Sequence, residues 1–443
     1  MKVGLGEHFS YKKLFRFVLP SIVMMIFTSI YGIVDGIFVS NIVGSNAFAS
    51  VNFVMPVLMI IGAIGFMVGT GGSALVSLTI GQGHQKKANE YFSLLVYFLL
   101  AIGIVVSLLV FIFVDKMVRW LGADATIVNN CILYGRILSV LMPFFLLQSC
   151  FQNFLVVAEK PGFGLIITVV AGVTNMILDF LFMYVFRMGV AGAALATGIS
   201  WIVGTTIPFL YFLKRKEDKL KLVKPKWNKS AVVKSCGNGL SEMLSNISLS
   251  IVNMLFNMQL MKYAGANGVV AYGIIMYVSF IFVGTYLGYS FAIAPVIGYN
   301  YGAKNNKELK NIFKKSIIVI GIFSVVMTIV AESLSPLLAN IFVSYDKELV
   351  AMTVLAIRIF SLSFIISGFN IFASSLFTAL NNGMISALIS FLRTFVFQII
   401  MIFGLPLLFD LNGLWMSVVF AEILSIIVSI CCVLCNRKRY QYF

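Results

Sequence analysis

The chain has 443 residues, of which 60% are hydrophobic and only 11% charged, yet it carries a net charge of +16. Soluble domains carry about a quarter charged residues, so no sizeable water-soluble domain fits here and the chain reads as membrane protein throughout. The basic residues form no stripe interleaved with aromatics on a soluble module, which excludes a nucleic-acid partner.

A helix needs about 20 apolar residues to cross the hydrocarbon core. Twelve segments qualify: 14–37, 50–80, 91–114, 131–157, 163–186, 190–213, 237–261, 269–300, 314–336, 350–379, 384–409 and 412–436. No small-residue cleavage site follows the first, so it reads as a transmembrane helix and not as a removable signal peptide. It contains YGIVDGIF, which places Asp35 inside an apolar stretch. The second holds GTGGS (69–73), buried and lacking the Lys-Ser/Thr of a nucleotide loop, which suits close helix packing. The basic loop GQGHQKKA follows; the fourth segment carries Arg136, and the fifth reads TNMILDFLF, with Asn175 and Asp179. Thr197 lies about seven residues into the sixth, at a depth similar to those aspartates. The longest polar stretch, KRKEDKLKLVKPKWNKS, comes next. Beyond it, Glu242 opens the seventh segment, Arg358 sits early in the tenth, Arg393 deeper in the eleventh and Glu422 in the twelfth. The six cysteines lack disulfide or zinc spacing; Cys432 and Cys435 form a CxxC at a helix end that suits packing or lipid contact.

With the N-terminus inside, nearly all loop Lys and Arg fall on one side. Only Lys116, Arg119, Arg187, Lys262 and Lys347 lie on the other. The positive-inside rule then puts both termini in the cytoplasm. The chain also repeats itself at an offset of about 221 residues. Gly44-Ser-Asn46 falls on Gly265-Ala-Asn267 and Gly81 on Gly302, while Phe151, Leu155, Ala158, Gly162 and Gly192 meet Phe372, Leu376, Ala379, Gly383 and Gly413. Each repeat holds six helices, so both face the same way, as in several transporter folds. The expected architecture is an all-α membrane protein of two six-helix bundles in parallel repeat: an N-terminal lobe over 1–213, a cytoplasmic linker over 214–236 and a C-terminal lobe over 237–443. No carbonyl-filter signature or repeated ring of charges points to a channel.

A charge at the bilayer centre costs about 2.5–3.5 kcal/mol on insertion scales, and such residues mark function by default. Asn175 and Asp179 are four positions apart and share a helix face. At the repeat offset Asp35, Asn175 and Asp179 meet Phe256, Val396 and Ile400, so whatever the aspartates do belongs to the N-terminal half alone. A buried carboxylate pair with amide and hydroxyl neighbours is suited to take up a proton. The same oxygens could instead coordinate a hard cation, making Asp35 and Asp179 a candidate Na⁺ site. The residues leave proton and sodium equally open. Blander expectations attach elsewhere. Arg136 and Arg358, in near-equivalent places, read as structural; Glu242 is a first-turn carboxylate favoured by the helix dipole or a group of the C-terminal cavity, Glu422 is similar, and His84 is a loop residue. Arg393 has no acidic partner nearby in sequence and could contact substrate or close the cytoplasmic side. Nothing resembles an enzyme active site, no cofactor is implied, and without a nucleotide site transport energy would come from an ion gradient.

These features resemble the multidrug and toxic compound extrusion (MATE) transporters over nearly the whole chain. The match is strongest at MPVLMIIGAIGFMVGTGGSALVSLTIGQGHQKKA, EKPGFGLIITVVAGVTNMILDFLFMYVFRMGVAGAALAT and APVIGYNYGAKNNKELK. The resemblance implies two lobes around a V-shaped cavity and an antiporter that exports drugs or other toxic, often cationic, small molecules in exchange for H⁺ or Na⁺ by alternating access. It implies a multi-pass protein of a bacterial plasma membrane, expected to act as a monomer with small molecules and lipid as its partners. Within the family it is similar to the bacterial branch whose ion site lies in the N-terminal lobe. That pattern falls here on Asp35, Asn153 (or its neighbour Gln152), Asn175, Asp179 and Thr197. The chain departs from it at Val156 and Val157, where an arginine often stands, and at GLSE, where the seventh helix often opens Gly-x-Pro. Two rival functions are a lipid-linked sugar flippase of the same superfamily, which tends to have a cationic cavity, and a major-facilitator transporter, whose loop 2–3 carries an Asp that GQGHQKKA lacks.

Overall fold

The computed structural model describes residues 3–214, 219–344 and 346–443. It is built from helices: α1 (Tyr11–Val43), α2 (Ser45–Gly81), α3 (Gln85–Trp120), α4 (Val128–Val157), α5 (Pro161–Val185) and α6 (Val190–Lys214) in the first half. After a short helix α7 (Lys229–Asn238) come α8 (Leu240–Gly302), α9 (Asn306–Val343), α10 (Lys347–Ser361), α11 (Phe364–Ala379), α12 (Gly383–Gly404) and α13 (Pro406–Tyr440). α8 breaks at Gly265 (φ 61°, ψ −152°), so its two arms count as separate spans, while α10 and α11 meet at 45° and make one bent span. The result is the twelve-span, two-bundle architecture. The expected linker includes 215–218, outside the described residues, and its last part is helical as α7.

Several helices run past the hydrophobic segments read from sequence, as Gln85–Trp120 and Asn306–Val343 do, and several starts are capped by side chains. Ser10, Asn228, Asn305, Asp346 and Asn382 accept backbone N–H bonds at the starts of α1, α7, α9, α10 and α12, satisfying donors that a first turn cannot. The internal repeat extends to backbone conformation. Gly44 (φ 113°) pairs with Gly265 (φ 61°), Gly83 (φ 80°) with Lys304 (φ 54°), and Gly189 (φ 61°) with Asp410 (φ 49°). Each is a positive-φ joint at the same place in either half, Asp410 marking a break within Pro406–Tyr440.

Each lobe has its own aromatic core. Phe92 packs on Phe154 and Phe212 with ring centroids 4.7 and 4.8 Å apart in the first, and Phe256 on Tyr272 and Trp415 at 4.3 and 6.1 Å in the second. Outward-facing side chains such as Ile104, Val105, Leu108 and Ile112 of α3 stay exposed and apolar, as lipid contact requires.

The lobes meet near the face that holds both termini. α1 also packs along the second arm of α8 well away from that face, where Ser29 Oγ donates to the Phe280 carbonyl at 3.3 Å. α2 crosses the same arm so closely that a Cβ on Gly81 would lie 2.1 Å from the Tyr299 carbonyl, and one on Gly302 2.2 Å from that of Leu78. The GTGGS stretch belongs to this seam: a Cβ on Gly71 would lie 1.9 Å from the Ser235 carbonyl of α7. Small residues are what allow backbones this close.

Candidate functional site

The polar residues of the N-terminal lobe gather toward its other end. Asp35 stands in α1 four residues ahead of a π-helical turn, Val39–Val43, and Asp179 immediately ahead of another, Phe180–Val185. π turns loosen the regular backbone ladder and recur at functional positions. The two turns pack against each other, and this makes the Asp35 and Asp179 carboxylates electrostatic neighbours, each within range of the other's charge.

Asp179 is fully buried, Asn175 on the same face is 2% exposed, and Thr197 of α6 is 8% exposed. One oxygen of Asp35, both of Asp179, Asn175 Oδ1 and Thr197 Oγ1 are buried without a hydrogen-bond partner. A single unsatisfied buried acceptor costs about 1–3 kcal/mol, so several in one place amount to a site short of positive charge. The donor set is all oxygen, which fits a proton or a hard cation. Tyr134 of α4, which sequence reasoning missed, is buried within electrostatic range of Asp35 and Asp179. It can supply either a donor or a further oxygen.

Asn153 is not brought to this cluster. It lies 19 residues beyond Tyr134 on the same helix, about 28 Å along the axis at 1.5 Å per residue. Its Nδ2 donates to the Ser149 carbonyl at 3.1 Å and abuts Gly69 of α2. Gln152 instead reaches Thr168 Oγ1 at 3.3 Å. Both belong to helix packing near the terminal face. The placement of Asn153 in the ion site is therefore corrected.

The C-terminal lobe holds a different arrangement: a cavity of about 260 Å³ lined by both arms of α8 and by α10–α13. Arg393 stands inside a π turn of α12 (Leu392–Val396). Its guanidinium grips Glu422 of α13, with Nε at 2.9 and 3.1 Å from the two carboxylate oxygens and Nη2 at 2.8 Å from Oε1. Asn370 Nδ2 donates to Glu422 Oε2 at 2.7 Å, and Ser429 donates to Asn370 at 2.8 Å. Glu242 lines the same cavity and feels the Arg393 charge. Two carboxyl groups and one guanidinium thus face this cavity, set among Phe256, Tyr272, Phe280 and Phe364. The partner of Arg393 lies 29 residues further on, beyond any local sequence signal.

The remaining charges are structural. Arg136 lies over the Phe111 ring at 5.8 Å, and Arg358 donates to Ser335 at 3.2 Å beside Glu332. Cys432 and Cys435 are free thiols. Among the described residues no three His, Cys, Asp or Glu side chains converge on a metal-ion position.

Comparison with known proteins matches the MatE family model over residues 20–181 and 243–403, one stretch in each half. The chain is 25% identical to the multidrug export protein MepA of Staphylococcus aureus (strain MSSA476), over 97% of this chain and 94% of that one. Its fold is similar to the outward-facing conformation of a multidrug resistance MATE family transporter of the MOP superfamily (TM-score 0.91, 22% identity, 98% and 97% of the two chains covered). It is equally similar to a MOP superfamily transporter of Pyrococcus furiosus, described as having a binding pocket of reversed polarity (TM-score 0.90, 23% identity, 98% and 97% covered).

Proposed function

The chain belongs to the MatE family, making it a multi-pass membrane transporter and not an enzyme, and on that premise we propose that it is an antiporter exporting drug-like, often cationic small molecules in exchange for H⁺ or Na⁺. Kinship with MepA supports drug export across a bacterial plasma membrane. The observation that carries the coupling is the Asp35–Asp179 pair, Asp179 fully buried and Asp35 partly so, with its unpartnered buried oxygens.

In this reading the terminal face is cytoplasmic and the lobes, closed there, part toward the outside. An ion arriving from outside reaches the carboxylates without crossing the bilayer. Binding neutralises a charge that burial makes costly, which favours repacking of α1, α5 and α6, narrows the N-terminal lobe and expels the cargo. A ligand shifts a two-state equilibrium only through its differential affinity, and carboxylates that are dry in one state and wet in the other provide that difference. Glu242 and the aromatic walls of the C-terminal cavity would hold the apolar cation during the cycle.

The test is efflux of a fluorescent cation from proteoliposomes under separate H⁺ and Na⁺ gradients. One gradient should drive efflux in the wild type and neither should in Asp179→Asn. Substrate affinity of the solubilised protein should fall as the same ion is titrated in, and affinity indifferent to both ions would remove the coupling mechanism.

A further inference from the structure

Leu5–Ser10 lead into α1 along the terminal face, and nothing in the transport reading uses them. Leu5 and Phe9 are fully buried, in a core they share with Tyr289, Ile312 and Phe372 of the other lobe. The backbone of the segment is held at both ends. Leu5 N–H donates to Glu159 Oε1 of the N-terminal lobe at 2.6 Å, while its carbonyl accepts from Asn300 Nδ2 of α8 at 3.1 Å. Phe9 N–H donates to Glu308 Oε1 of α9 at 2.9 Å, and its carbonyl accepts from Asn311 at 3.1 Å and from Lys315. His8 Nδ1 lies 2.7 Å from Glu308 Oε2.

We propose that this segment is a strap that holds the lobes together at the terminal face and must leave Glu308 before that face can open. The proposal rests on the alternating-access reading. Phe9 is separated from the first turn of α1 by Ser10 alone. Chain spans at most about 3.6 Å per residue, so the start of α1 cannot move more than a few ångströms from α9 while Phe9 stays bonded. Glu308 is 5% exposed, and its carboxylate accepts there from Phe9 N–H, from His8 and from Asn311, the last at 2.7 Å. Two of those three donors belong to the strap. Opening therefore strips a buried carboxylate of most of its partners, whereas the closed arrangement satisfies it. That difference between two states is what a latch needs.

The test uses the full chain in proteoliposomes, with the six native cysteines replaced and His8→Cys combined with Glu308→Cys. Bridging the two thiols with a short bis-methanethiosulfonate reagent should slow dye efflux by about tenfold or more, and reductant should restore it, as expected when one of two required states is denied. Efflux at the unbridged rate would mean that the strap rides with the C-terminal lobe, and would overturn the proposal. A second measurement needs no transport: in Glu308→Ala, amide exchange at the terminal-face ends of α2 (residues 79–81) and α8 (residues 299–302) should accelerate. Unchanged exchange there would equally overturn it. Absence of gradient-driven efflux in the wild type would refute the transport reading instead, leaving the exchange result to decide the strap.

Discussion

Arg393 and Glu422 form a two-pronged ion pair inside the C-terminal lobe, with side chains only 17% and 5% exposed and contacts of 2.8–3.1 Å. Glu422 has Asn370 as a further donor, so the pair is satisfied where it stands. Removing one partner leaves the other charged in an apolar setting, at a cost of about 3–5 kcal/mol, whereas replacing both by apolar residues of similar volume is close to neutral. Arg393→Met should accordingly lower the unfolding temperature in detergent sharply, and Arg393→Met with Glu422→Leu should recover most of the loss. Equal destabilisation by the single and the double replacement would show that the pair does not act as a unit.

Asp35→Asn and Asp179→Asn keep the size of the side chain and remove the charge. Each should bring gradient-driven efflux down to that of empty vesicles with expression near normal. Ile400→Ala, at the repeat-equivalent position, should change drug preference or nothing. Loss of ion dependence in Ile400→Ala would contradict the assignment of coupling to the N-terminal lobe.

Tyr134→Phe deletes one oxygen and leaves the ring. A hydrogen bond to a charged group contributes about 1.5–3 kcal/mol, so the concentration of coupling ion needed for half-maximal efflux should rise about ten- to a hundredfold. Maximal efflux at saturating ion should stay near wild type. Ion dependence identical to wild type would place the hydroxyl outside the site.

Gly239 and Gly302 test the seam. A Cβ on Gly239 would lie 1.9 Å from the Met67 carbonyl, and one on Gly302 2.2 Å from that of Leu78. The clashing atoms are backbone and cannot rotate away, so alanine at either position must push α2 off its neighbours, at about 1–3 kcal/mol as for other overpacked sites. Thiol labelling of a cysteine placed at Ser77 should become faster in both variants. Labelling as slow as in the parent would mean that the lobes close without this contact.

Much of the architecture was legible because hydropathy and charge act over whole spans: the helices, the repeat and the polar linker need no tertiary information. Asp35, Asn175 and Asp179 announced themselves as polar atoms in apolar surroundings. Tyr134 did not, since one of 17 tyrosines in an amphipathic setting carries no signal until α4 is packed on α5 and α6. Asn153 misled because a pattern borrowed from relatives carries no depth. It stands four residues from the end of α4, and helix geometry alone separates it from Asp179. The partner of Arg393 was hidden by distance along the chain. The strap was unreadable because its residues are ordinary, and their role comes from Glu308, three hundred positions away.

The three matched positive-φ joints have a consequence for how the two halves relate. In the N-terminal copy all three positions are glycine, while in the other copy two are Lys304 and Asp410. The left-handed form costs non-glycine residues about 1–2 kcal/mol, so neither would choose it in isolation; the packed spans on either side impose it. Meanwhile the aspartates of one copy face Phe256 and Ile400 in the other, and Glu242, Arg393 and Glu422 face Ser21, Gly172 and Trp201. The two halves thus share joints that only one of them fills with the residue best suited to each, while each half carries a chemistry the other lacks. A tandem of two N-terminal copies should insert and pack as twelve spans, with two carboxylate pairs and no arginine-bearing cavity.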